Sequence, residues 1–204
     1  MFRRLFTVLT LAAVAFTTGG VGATSAHADT KYRGEGDQVL RIGATKKPGI
    51  IRFTHDGESN FIVHTIDSRG KKDDLLVNEI GPYDGTVLYN AYAASNGTIG
   101  LEIKADGAWT AAVKPVTKAR CWCTATLRGT GDQVLKLTPT RGLSTMRATH
   151  NGQSNFIVHA YPRIGSYPEL LINEIGTYKG GVLLPTGTRL ITVKADGSWA
   201  LVRR

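Results

Sequence analysis

Short runs of apolar or alternating residues, each bounded by glycine, proline or an Asp-Gly pair, follow one another along the chain. Residues 50–55 and 59–66 are rich in β-branched and aromatic side chains and flank Asp56-Gly57, a pattern that predicts a two-residue β-hairpin. Asn151-Gly152 supplies the same signal later, and Asp106-Gly107 precedes Trp109 on what reads as a terminal strand. Glycine and proline recur every 8 to 12 residues, and no 11-residue window keeps a helical apolar period. The expected fold class is all-β: two tandem antiparallel β-sandwiches of the jelly-roll kind.

The first 28 residues read differently. Arg3 and Arg4 precede an apolar run over 5–16, and Ala26-His27-Ala28 has the small-x-small form of a signal-peptidase site. Residues 1–28 are therefore expected to be a signal peptide and the mature protein to be secreted. The run is broken by Thr17, Thr18, Gly19 and Gly20, too early for a transmembrane helix of about 20 apolar residues. No second segment reaches membrane length.

The remainder is one module written twice. Arg33-Gly34-Glu35-Gly36-Asp37-Gln38-Val39-Leu40 returns as Arg128-Gly129-Thr130-Gly131-Asp132-Gln133-Val134-Leu135, a shift of 95. The same shift carries Thr54-His55-Asp56-Gly57-Glu58-Ser59-Asn60-Phe61 onto Thr149-His150-Asn151-Gly152-Gln153-Ser154-Asn155-Phe156, and Asn78-Glu79-Ile80-Gly81 onto Asn173-Glu174-Ile175-Gly176. After Tyr89 the second copy is five residues shorter, so Lys104-Ala105-Asp106-Gly107-Ala108-Trp109 meets Lys194-Ala195-Asp196-Gly197-Ser198-Trp199 at a shift of 90. Each copy has the length of a small domain, not of a solenoid repeat. The expected organisation is repeat 1 over 29–115, a linker over 116–123 and repeat 2 over 124–204.

The Gly-x-Gly-Asp opening, the Thr-His-turn-Ser-Asn-Phe segment, the apolar Asn-Glu strand and the closing Ala-Asp-Gly-x-Trp strand resemble small bacterial secreted β-sandwich modules. They are similar in outline to pre-peptidase C-terminal domains, which accompany exported hydrolases. That resemblance implies an accessory or binding role.

Charge divides the copies. Residues 29–115 hold 11 basic and 12 acidic side chains; 116–204 hold 12 and 4. A module that basic, outside a cell, favours anionic polymers such as wall teichoic acid or acidic polysaccharide. Its cations are dispersed and not interleaved with stacking aromatics, which speaks against specific nucleic-acid binding.

Ionisable groups present in both copies are the candidates for chemistry: Arg33/Arg128, Asp37/Asp132, Arg52/Arg147, His55/His150, His64/His159, Glu79/Glu174, Lys104/Lys194 and Asp106/Asp196. In a hairpin turning at Asp56-Gly57, His55 and His64 would stand about 20 Å apart, so they are not expected to share a metal. A cap role, with the imidazole hydrogen-bonded beside the turn, is expected for His55 and His150. Asp56-x-Glu58-x-Asn60 has the spacing of half a calcium loop without its bidentate glutamate, and only amides stand there in the second copy, so any calcium would be confined to repeat 1. No nucleophile elbow is present, and the repeated acids fall at turns, so no catalytic residues and no enzymatic activity are expected.

Trp109 and Trp199 are expected to close their sandwich cores. Tyr83 and Tyr178, flanked by glycines on what read as loops, are better ligand candidates. The expected ligand-binding residues are Asn78, Tyr83, Asn173 and Tyr178, with Arg147, Lys179 and Arg189 on the basic copy. Cys121 and Cys123 form either a tight local disulfide or bonds to another chain, giving a monomer or a covalent dimer. The function expected from these features is non-catalytic binding of extracellular or wall polysaccharide. The alternative is a secreted protein-binding factor, such as an inhibitor of an extracellular hydrolase.

Overall fold

A computed structural model describes residues 29–91 and 96–204. The expected signal peptide over 1–28 lies outside the described residues. In repeat 1 the strands are β1 (Thr30–Glu35), β2 (Gln38–Thr45), β3 (Gly49–His55), β4 (Asn60–Asp67), β5 (Lys72–Ile80), β6 (Tyr83–Tyr89), β7 (Thr98–Lys104) and β8 (Ala108–Pro115). A 3-10 turn at Val116–Lys118 and a short β9 (Arg120–Cys121) follow. The second set is β10 (Thr126–Thr130), β11 (Gln133–Lys136), β12 (Ser144–His150), β13 (Asn155–Tyr161), β14 (Glu169–Ile175), β15 (Tyr178–Leu184), β16 (Leu190–Ala195) and β17 (Ser198–Arg203).

The first eight strands form sheets ordered β1-β8-β3-β6 and β2-β7-β4-β5, and the second eight repeat that order as β10-β17-β12-β15 and β14-β13-β16-β11. This is jelly-roll order in both copies: within each copy every connection but β4–β5 and its counterpart β13–β14 crosses from one sheet to its partner, and the chain is all-β as the pattern predicts. Inward positions alternate along each strand and fill the space between sheets. Ile51, Phe53, Phe61, Val63, Leu101, Ile103, Trp109 and Ala111 form the first core. Met146, Ala148, Phe156, Val158, Ile191, Val193, Trp199 and Leu201 form the second.

The expected hairpin at Asp56-Gly57 is not one. β3 pairs with β6 and β8, whereas β4 pairs with β5 and β7. The Asp-Gly pair turns the corner between sheets, and Asp106-Gly107 does the same between β7 and β8. The turn chemistry was legible; the pairing was not, because both neighbours of β3 are distant in sequence.

Residues 120–122 belong to the second sandwich, while Val116 and Ala119 pack between the copies. β9 pairs in parallel with the edge of β11, Leu135 opposite Arg120. Trp122 is completely buried in the second core. Arg203 lies 4.9 Å over its ring and donates to its carbonyl oxygen at 2.9 Å. Cys121 and Cys123 are joined as a local disulfide.

A third apolar cluster lies between the copies: Ile50, Ala91, Ala119, Val134, Tyr161 and Leu190, with Leu88 and Val116 packed against it. Polar contacts surround it. Thr86 N donates to Asp132 O at 2.8 Å, the Tyr83 hydroxyl donates to Asp132 Oδ2 at 2.9 Å, and Lys194 Nζ lies 3.0 Å from Glu79 Oε1. No helix among the described residues is long and apolar enough to cross a membrane.

Candidate functional site

The repeated motif residues meet at one end of each sandwich and tie its corners together. Asp56 Oδ1 accepts from Ala108 N at 2.7 Å. In return Asp106 Oδ2 accepts from Glu58 N and Ser59 N at 3.0 and 2.8 Å. Asp37 Oδ1 accepts from Ala105 N at 2.9 Å, and the Trp109 indole donates to Gly36 O at 3.0 Å. His55 is buried, stacks on Phe61 with ring centroids 4.6 Å apart, and sets Nδ1 3.0 Å from Gly81 O. Since a carbonyl only accepts, Nδ1 carries the proton. Nε2 lies 3.3 Å from Asp106 Oδ1 without hydrogen-bond alignment.

The second copy repeats this knot atom for atom. Asp196 Oδ2 takes Gln153 N and Ser154 N, Asp132 Oδ1 takes Ala195 N, and His150 Nδ1 lies 2.7 Å from Gly176 O. Asn151 replaces Asp56 and still accepts from Ser198 N at 3.1 Å. The Gly-x-Gly opening serves the knot too: a Cβ at Gly34 or Gly129 would collide with the indole of Trp109 or Trp199. Gly36 and Gly131 take left-handed φ of 66° and 65° at the corner. The repeated aspartates, histidines and tryptophans thus hold the fold together.

Burial opposes the charge on Asp106 and Asp196. The amides donating to each carboxylate outweigh it, and both sit below the ordinary carboxylate range. Asp132 goes the other way: it is buried at the junction, which pushes its carboxyl up, against the lowering hydrogen bonds from Ala195 N and Tyr83. Burial, then the Asp132 charge, pushes the Tyr83 hydroxyl far above its ordinary value. Burial lowers His159, which sits where β13 and β14 shift register; His64 occupies the same shift between β4 and β5. Among the described residues no three of His, Cys, Asp and Glu converge as a metal site.

The expected ligand residues scatter. Tyr83 and Tyr178 stand not on loops but at the first position of β6 and β15. Their half-buried rings pack against Phe61 and Phe156 at 5.7 and 5.6 Å, and the flanking Gly85 and Gly180 leave room for them. Asn78 and Asn173 are exposed on the edge strands β5 and β14 of the opposite sheet. Arg189 is exposed just before β16, its backbone bonded to Tyr161 and Leu137, away from the knot.

Arg147 and Lys179 do come together, on the outer face of β10-β17-β12-β15. Register places Arg128, Ala200, Thr149 and Lys179 in one line across the four strands, about 14 Å from end to end. Arg147 lies in the next line, beside Val202 and Gly181. In the first copy the positions of Arg147 and Lys179 hold Arg52 and Asp84, a two-pronged ion pair at 3.0 and 2.8 Å. That carboxylate raises the Arg52 guanidinium above its ordinary value. Lys179 therefore puts a second cation where the first copy has the neutralising anion. Glu35 and Asp56 of the same face are likewise replaced, by Thr130 and Asn151, while Lys31 gives way to Thr126. Asp84, Glu35 and Asp56 of the first face are thus all gone from the second. Arg128 is not among the expected ligand residues because its sheet neighbour β17, which brings it into line with β12 and β15, comes from the far end of the chain; strand alternation placing it outward was the available signal.

A shallow depression of about 430 Å³ adjoins this face, lined by Arg128, Thr149, Asn151, Ser198 and Trp199. A matching one of about 530 Å³ lies by Arg33 and Asp56. The two copies share shape and differ in charge.

No family model matches the chain, and no curated protein does. Among solved structures, the regulatory domain of Toxoplasma gondii PKA with cAMP is similar at 8% identity over 86% of this chain and 77% of that one, with a TM-score of 0.24. A likeness at that level carries nothing about what this chain binds.

Proposed function

We propose that the protein is a secreted, non-catalytic binding protein for an anionic extracellular polymer, such as wall teichoic acid or an acidic polysaccharide. The binding surface is the outer face of β10-β17-β12-β15. The observation that supports this is the conversion of the Arg52–Asp84 ion pair into the Arg147–Lys179 cation pair, with loss of Glu35 and Asp56 from that face. Small residues between the cations (Ala200, Gly181, Thr149) leave a flat surface on which an extended polyanion can lie. Side chains at these positions are exposed, so the attraction is screened by salt over a Debye length of about 8 Å at physiological ionic strength.

The test is co-sedimentation of the protein with purified bacterial walls, before and after chemical removal of their anionic polymers. Lys179→Asp rebuilds the ion pair of the first copy on the second and leaves the core untouched. The expected result is at least a tenfold loss of wall affinity at low salt, about 1.4 kcal/mol, with an unchanged melting temperature. Wild-type binding that survives polymer removal, or a Lys179→Asp protein that binds like wild type, would overturn the proposal.

A further inference from the structure

The junction between the copies joins unlike surfaces. The first copy contributes a tail, made of Glu79, Tyr83, the Thr86 amide and Leu88; the second contributes a head, made of Asp132, Val134 and Lys194. Because the module occurs twice, every chain carries one further tail and one further head that this junction does not use. The spare tail is on the second copy: Glu174, Tyr178, Gly181 and Leu183. The spare head is on the first: Asp37, Val39 and Lys104.

These spare surfaces keep the junction's chemistry. Val134 is 1% exposed in the junction, and its counterpart Val39 is 69% exposed. Leu88 packs on the junction cluster, and its counterpart Leu183 is 62% exposed. Lys104 and Glu174 are the counterparts of the ion pair Lys194–Glu79, and both are exposed. Asp37 Oδ1 is used on Ala105 N, as Asp132 Oδ1 is used on Ala195 N, which leaves Oδ2 to face a tyrosine hydroxyl as Asp132 Oδ2 does. β15 is an edge strand, so its Gly181 amide stands where the Thr86 amide meets Asp132 O. Asp37 and Tyr178 have other work within their own copies, but no ion pair is formed by Lys104 or Glu174 among the described residues.

We propose that copies of this chain associate head to tail: the spare tail of one molecule docks on the spare head of the next in the geometry of the internal junction. Such a contact is heterologous and leaves a head and a tail unused at the two ends of a dimer, so it builds rows that grow past the dimer until a ring closes. It is weaker than the junction that templates it, because Ile50, Tyr161 and Leu190 are replaced by Thr145, Ile66 and Gly100. The outer basic face stays available in such rows: beside the internal junction, the Arg52 and Asp84 side chains remain 57% and 60% exposed. The inference stands independently of which polymer that face binds.

Sedimentation velocity on the purified mature protein, residues 29–204, from roughly 10 µM to about 1 mM, tests it. The expected result is a weight-average sedimentation coefficient that climbs with concentration without a plateau at dimer. Val39→Asp spoils only the head and Leu183→Asp only the tail, and both residues are too exposed for either change to burden folding. Each variant alone is expected to stay monomeric. Mixed in equal amounts, they retain one good head and one good tail between them and are expected to form dimers and nothing larger. A wild-type protein that remains monomeric throughout overturns the proposal. So does association that either variant leaves intact, or a mixture that stays monomeric when wild type does not.

Discussion

At the scale of single residues, the most informative side chains are those that hold the corners. Asp106 and Asp196 each satisfy two backbone amides that would otherwise be left unpaired at a sheet-crossing turn. Both carboxyls lie below their ordinary range when folded. Each therefore contributes stability above the unfolded value near 4 and loses it as pH falls through the lower folded value. Asp132 has the opposite sign, since its folded carboxyl is raised and its contribution is greatest in acid. Asp67 is lowered as well and Asp74 raised, so with three carboxylates against two the melting temperature is expected to fall as pH drops below about 4. In the double variant Asp106→Asn/Asp196→Asn, which keeps an acceptor but cannot be neutralised, that acid decline should flatten. Melting curves between pH 2.5 and 7 check this; parallel declines in the two proteins would show that these caps do not drive acid unfolding.

Elements are where reading and structure part most clearly. The turn residues were legible, since Asp-Gly and Asn-Gly mark abrupt reversals wherever they stand. What they reverse was not legible: a hairpin and a sandwich corner use the same local chemistry, and only the partners of β3 and β4 distinguish them. The 116–123 segment shows the same limit. Its composition reads as a connection, yet β9 extends a sheet and Trp122 fills the second core. Trp122→Ala in the full chain is expected to cost about 3–5 kcal/mol, read as a lower urea midpoint by circular dichroism. A change under about 1 kcal/mol would mean that the segment is dispensable to the second sandwich.

For the whole molecule, the decisive feature is that the two sandwiches share a buried cluster and a buried acid. The Tyr83 hydroxyl is a partner of Asp132 in a region from which water is largely excluded. Tyr83→Phe leaves the ring against Phe61 and removes only that donor. The expected loss is about 1–3 kcal/mol, measured by denaturant unfolding. Full stability in that variant would place the strength of the junction in its apolar cluster alone.

Sequence by itself determined the all-β class, the doubling of the module, the sites of the turns and the charge difference between copies. Each of these rests on local chemistry: side-chain alternation, glycine and Asp-Gly at reversals, and counts of ionisable groups. Tertiary structure alone decided which partners the repeated residues meet. His55 beside its turn and Trp109 in the core stand where the pattern put them, but that corners far apart in sequence converge on them and on Asp106 came only from the fold. Tyr83 looked free because glycines flank it; one of them, Gly85, makes room for its ring. Arg128, Arg147 and Lys179 came together only through the pairing of β10, β17, β12 and β15, whose partners lie as many as 76 positions apart in the chain. Strand pairing is a long-range choice made by burial of whole faces, and no local pattern encodes which cations it will align.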